Sequence, residues 1–209
     1  MGAENSSGYN REEKIKKLEK KSNEIRDYTL NMYNEPKHST SEILDSWKKK
    51  DKIDEDINRL KKMNETEKNF SKNINLNDYR NSDGTFNVYK TKRSLNYPTG
   101  EASGKVVKIL HHEGIAIGNG KKMFYSDYGV GEGDLEVRFW DGDEEKDKWK
   151  KIEKVGTSKA SDDKVKEILF GEKSEKWTNR DDYKLLKHNC QDYSKEKIAD
   201  FIENENKNE

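Results

Sequence analysis

One cysteine, Cys190, stands in a chain of 209 residues. That excludes an intramolecular disulfide framework and fits a reducing, cytoplasmic compartment. No run approaches the ~20 apolar residues of a membrane-spanning helix. No basic segment followed by an apolar one marks a secretory signal. Neither sign of charge is in excess: 42 Lys and Arg offset 42 Asp and Glu, so no global field draws in nucleic acid or an anionic membrane. Hydrophobic residues make up 29% of the chain and charged residues 40%, so a core is expected in only part of its length. The G-x-S-x-G elbow of serine hydrolases is absent. Gly129-Val-Gly-Glu-Gly133 lacks the Lys-Ser/Thr of a phosphate loop and reads as a turn. His111-His112-Glu113 is the only cluster of metal-ligand residue types, and neighbours on a strand diverge, so neither a metal nor a cofactor is expected.

What is present centres on the lone thiol. Cys190 lies in Tyr183-Lys-Leu-Leu-Lys-His-Asn-Cys-Gln-Asp-Tyr-Ser194, among polar neighbours. A helical pattern follows it, with Ile198, Ala199, Phe201 and Ile202 on one face. A thiol at a helix N-terminus feels the positive end of the helix dipole, which favours the nucleophilic thiolate. The candidate base lies upstream. Gly114 to Gly118 reads as a short buried strand with His112 at its mouth, Asn119-Gly120 as a two-residue hairpin, and Lys122 to Tyr128 as the returning strand. A histidine on a strand facing a cysteine at a helix N-terminus is the arrangement of base and nucleophile in thiol hydrolases. His111 points to the other side of the strand and reads as structural. His188 could orient the loop before the cysteine.

His112-x-Gly114-Ile115 followed by a glycine hairpin, and then Tyr-x-Leu-Leu-x-x-Asn-Cys-Gln-Asp-Tyr, resembles the circularly permuted papain-like superfamily over roughly residues 85–202. That superfamily holds the lecithin retinol acyltransferase and NlpC-like branch and the PPPDE branch of deSUMOylating and deubiquitinating peptidases. The resemblance implies an α+β domain, an antiparallel sheet plus helices, with Cys190 as nucleophile and His112 as base. It implies a protein substrate carrying a ubiquitin-like modifier, cut at an amide or isopeptide bond, or alternatively a lipid acyl substrate. His188-Asn189-Cys190 and Phe86-Asn-Val-Tyr89 lean toward the PPPDE branch, and Gly114-Ile-Ala-Ile-Gly-Asn-Gly120 toward the acyltransferases. Those acyltransferases carry a second histidine about a dozen residues after the first. Here Phe124, Tyr125, Ser126 and Asp127 occupy that stretch, which suits a dyad or a triad completed by Asp127 or Tyr125. The backbone N–H of Gln191, next to the nucleophile, is a candidate oxyanion donor.

Ahead of this module lies a different kind of sequence. Residues 1–9 form a polar tail. Met1-Gly2-Ala-Glu-Asn-Ser6 matches the N-myristoylation pattern with Gly2 as acceptor. One acyl chain binds membranes only marginally, and the nearby lysines alternate with glutamates, so any membrane contact through Gly2 would be reversible. Ile15, Leu18, Ser22, Ile25, Thr29 and Met32 follow a coiled-coil rhythm from Arg11 to about Asn34, closed by Pro36. Ser39-Thr40-Ser41 with Glu42 starts a second helix, expected to run to about Met63 with Ile43, Leu44, Trp47, Ile53, Ile57 and Leu60 near one face. The two read as an antiparallel hairpin over residues 10–64, able to serve as an arm for self-association or for a partner. A non-catalytic interaction protein using this arm is the competing reading of the whole chain. Residues 65–84 read as a linker and 85–209 as the catalytic domain. Further strands are expected around Phe86 to Tyr89 and Leu135 to Trp140, a charged excursion with Trp149 as anchor over Asp141 to Lys154, and a helix over Ser158 to Phe170.

Overall fold

The computed structural model describes residues 10–94, 111–130, 135–141, 149, 151–178 and 189–203. It divides into two compact units, residues 1–69 and 70–209.

The first unit is a helical pair. Helix α1 spans Arg11–Asn34, capped by the Asn10 side chain, which accepts from the Glu13 N–H. Helix α2 spans Thr40–Asn73. Its start is a reciprocal box: the Ser39 N–H and hydroxyl donate to Glu42 Oε2, and the Glu42 N–H donates to Ser39 Oγ. Ile15, Ile57 and Leu60 form the buried apolar centre, flanked by Leu18 and Ile53. The two polar seam positions are matched across the pair. Ser22 Oγ donates to Asp54 Oδ1, and the Thr29 and Ser46 hydroxyls bond at 2.6 Å. At one end Arg11 donates to Asn64 and Glu67. Polar groups inside an apolar seam cost least when they meet each other, so these pairs fix one register. Leu44, expected on the buried face, is instead 52% exposed; Ser46 takes the inward position opposite Thr29.

The expected break near Met63 and the linker over 65–84 are corrected by the structure. Helix α2 continues to Asn73, and a 3-10 turn follows at Leu76–Tyr79. The composition of this stretch is polar, yet its few apolar residues are all spent on burial. The Phe70 ring stands edge-on to Phe124 and Phe170, each 5.4 Å away. Ile74, Leu76 and Tyr79 are buried too. Arg80 donates to Ala160 O and Asp162 and lies over the Phe86 ring. The second unit therefore begins before the expected boundary at Thr85.

Its centre is a five-stranded antiparallel sheet in the order β4-β3-β2-β1-β5, formed by β1 Phe86–Ser94, β2 His111–Gly118, β3 Met123–Val130, β4 Leu135–Asp141 and β5 Lys151–Ser158. Strand β1 runs past Tyr89, where a short strand was expected to end. Strand β5 falls where a charged excursion was expected, and Ser158 closes that strand instead of opening a helix. Helix α3 spans Asp162–Phe170 with Ser161 as its cap. A 3-10 segment covers Glu172–Thr178. Helix α4 spans Cys190–Ile202 and lies against β1, β2, β3 and β5. The β2–β3 turn is shifted by one residue from the expected Asn119-Gly120 pair. Asn119 is its corner, with Oδ1 accepting the Lys121 and Lys122 N–H groups, and Gly120 takes the left-handed φ of 84°. The α+β class is observed; strands and helices segregate along this unit. Among the described residues no helix is long and apolar enough to cross a membrane.

Candidate active site

The segments carrying Cys190 and His112 are distant in sequence, and α4 brings them together. Asn189 caps α4. Its Oδ1 accepts the N–H groups of Gln191 and Asp192, and the Asp192 carboxylate returns to the Asn189 N–H at 3.2 Å. This capping box fixes the first turn, in which Cys190 is the first residue. Two hydroxyls then dock the helix onto the sheet. Ser194 Oγ donates to Gly114 O at 3.1 Å, and the Tyr193 and Ser126 hydroxyls bond at 2.6 Å. Tyr193 also packs edge-on against Trp177, with Tyr128 completing the cluster.

At the start of β2, His112 is 5% exposed, hydrogen-bonds to Asp127 and interacts electrostatically with Cys190. Its Nε2 meets Asp127 Oδ2. Burial alone pushes the imidazole pKa down. The hydrogen bond to Asp127 and the interaction with Cys190 together outweigh burial, and the net shift is upward. Asp127 is fully buried on β3 opposite Gly114, two residues along from His112, so both project from the same side of the sheet. Arg93, the cross-strand partner of His112, donates to the same carboxylate oxygen at 3.5 Å.

Trp149 roofs this pair. Its ring stacks on His112 at 6.1 Å between centroids and on Tyr125 at 6.3 Å, and it is buried with Ala116, Met123 and Tyr125. The roof explains Gly114. A methyl group there would lie 2.8 Å from Ser126 O and 2.9 Å from the Trp149 ring.

Of the residues singled out from sequence, Cys190, His112 and Asp127 therefore meet. Tyr125 reaches Trp149 and stands beside the pair. Gln191 lies at the right place, but its N–H donates to Asn189 Oδ1 at 2.8 Å, so an oxyanion role for it requires that cap to open. The other candidate donor at the nucleophile is the Cys190 N–H itself, in a first helical turn whose N–H groups have no intrahelical acceptor. His188, Gly2 and the Gly131–Gly133 stretch lie outside the described residues, as does the side chain of His111, while Gly129, read as the start of a turn, belongs to β3. Sequence reading passed over Arg93 and Asn189. Asn189 carried a usable signal, an Asn-x-x-Asp capping pattern directly at the cysteine; Arg93 carried none. Among the described residues no group of three or more His, Cys, Asp or Glu is placed to hold a metal.

No family model matches this chain, and searches of curated proteins and of solved structures gave no match.

Proposed function

We propose that the chain is a cysteine-dependent hydrolase or acyl transferase, with Cys190 as nucleophile, His112 as acid–base and Asp127 as the group orienting His112. The observation that carries this reading is the unbroken series Cys190–His112–Asp127, with the cysteine opening a helix and the other two on adjacent strands. The thiolate attacks a carbonyl carbon, and a tetrahedral oxyanion forms beside the Cys190 N–H. As the C–N or C–O bond breaks, the imidazolium passes its proton to the leaving amine or alcohol, and a thioester remains on Sγ. A water molecule gives its proton to the now neutral His112 and attacks the thioester, releasing a carboxylic acid and the thiol. Asp127 keeps the imidazole in one orientation and stabilises its charged form.

An amide or isopeptide to a ubiquitin-like modifier is the substrate class favoured here. The third position is a carboxylate, whereas the acyltransferase branch would carry a second histidine. The test is a panel of fluorogenic C-terminal amides of ubiquitin-like modifiers and of short-chain acyl thioesters. Turnover of at least one is expected, with loss to background in Cys190→Ser and His112→Ala. Full turnover by Cys190→Ser would overturn the reading.

A further inference from the structure

Resting on that reading, one residue outside the three gains a role. Arg93 lies opposite His112 on β1. Its guanidinium is held from two sides, by Asp127 Oδ2 at 3.5 Å and by the Trp149 ring, 5.2 Å from the guanidinium carbon to the centroid. Its side chain is a quarter exposed, whereas the carboxylate it meets is wholly buried.

We propose that Arg93 is a positioning residue that sets the charge of the site, pairing with Asp127 from β1 so that thiolate and imidazolium are favoured at Cys190 and His112. A buried carboxylate is costly unless paired. Along Arg93, Asp127, His112 and Cys190 the charges then alternate and sum to zero. With Arg93 neutralised the same row carries one uncompensated negative charge. The least costly relief is a proton on the sulfur, the more basic of the two anions.

In the register Arg138 on β4 stands opposite Asp127, and among the described side chains the other charged and titratable groups near this end of the sheet are engaged as follows. Glu113, next to His112 on β2, pairs with Lys90 at 2.7 Å and Lys92 at 3.1 Å. Lys151 and Glu153 pair with each other on β5. Asp192 on α4 is committed to the capping box, and Tyr125 and Tyr193 are buried phenols. Arg93 is the cation that reaches Asp127 from β1.

The test is the rate of Cys190 alkylation by iodoacetamide in the whole protein between pH 5.5 and 9. Arg93→Gln is expected to slow it about five- to tenfold at pH 6.5, the effect of losing one nearby opposite charge, and to converge on the parent at high pH. Arg93→Lys, which keeps the charge, is expected to restore most of the loss. In an Asp127→Asn background, Arg93→Gln is expected to change little. Parental rates in Arg93→Gln would overturn the assignment. So would equal slowing at every pH, or equal slowing by the Gln and Lys variants, since either means loosened packing and not charge. His112→Ala separates this inference from the reading beneath it. A rate that falls in His112→Ala but not in Arg93→Gln removes Arg93 alone. A rate untouched by His112→Ala removes both.

Discussion

Replacing Lys197 by methionine should alter the pH dependence of stability more than stability itself. Lys197 is fully buried on α4 and donates at 2.6 Å to both Ile168 O and Ser174 Oγ, with Glu196 3.8 Å away. It thereby ties the helix that carries Cys190 to the end of α3 and to the 3-10 segment after it. Burial pushes its ammonium pKa from 10.5 down to about 8, against the pull of Glu196 and Asp200. The folded state thus holds this proton less tightly than the unfolded chain does. Between about pH 8 and 10.5 the unfolded chain binds more protons, so stability climbs with pH through that window. Below it the cost is complete, and at 1.36 kcal/mol per pKa unit it amounts to roughly 3 kcal/mol. Methionine removes that cost and loses two hydrogen bonds worth about 1 kcal/mol each. The Ser174 Oγ to Ile168 O bond stays in place. Near pH 7 the two proteins should therefore differ by only about 1 kcal/mol, in favour of methionine. The difference between parent and variant should then shift by roughly 3 kcal/mol toward the parent as pH rises to 10.5. Tyr193, whose phenol is pushed up by burial, costs both proteins stability at high pH and cancels in the difference. Urea unfolding at several pH values reads the quantity, with tryptophan fluorescence as probe; Trp177 is buried and donates to Glu196 beside Lys197. A parent–variant difference flat from pH 7 to 10.5 would refute the reasoning.

Three further outcomes are expected. In Asp127→Asn the groups that raise His112 are reduced and burial prevails, so its imidazole should titrate below the ordinary 6.5 instead of above it, as read from its ring-proton shifts by NMR. Correspondingly, stability that the parent draws from the raised His112 is present at acidic pH and fades as pH climbs through its folded value, and denaturation across pH 5 to 8 should show this dependence shrinking in the variant. Gly114→Ala should cost about 1–3 kcal/mol by chemical denaturation, since the added methyl must push back Ser126 backbone or the Trp149 ring; it should also slow Cys190 alkylation by unseating the roof over His112. Phe70→Ala should cost about 3–5 kcal/mol in thermal or urea unfolding, because Phe70 is 4% exposed and wedged between Phe124 and Phe170; a cost under about 1 kcal/mol would return residues 65–84 to a linker.

How far the sequence could be read depended on whether the controlling interaction was local. Helix α1 was legible from its three-four spacing and from Pro36, and its observed span Arg11–Asn34 coincides with the expected one. The start of α4 was legible because a cysteine among polar residues preceded an apolar helical pattern. Its buried face was not. The stripe runs through Cys190, Tyr193, Ser194, Lys197 and Phe201, while Ala199, expected inside, is exposed. A lysine inside a stripe is invisible to hydrophobic periodicity, since only the distant Ile168 and Ser174 make it tolerable there. Strand β5 was missed for a related reason: Lys151–Ser158 buries only its last residue, so it shows no alternation, and pairing with β1 alone defines it. The site shows both cases at once. The expected turn would set Gly118 opposite Lys121, whereas the observed one sets it opposite Met123. A slip of one residue would have turned Asp127 away from His112; a slip of two preserves the parity of the strands, so the pairing survived an error in the turn. Arg93 had no such protection. Its relation to Asp127 depends on β1 pairing with β2 and β2 with β3, and no spacing within either short motif encodes that pairing. Charge setting at this site is therefore a property of the assembled sheet, and only variants that leave both motifs intact can expose it.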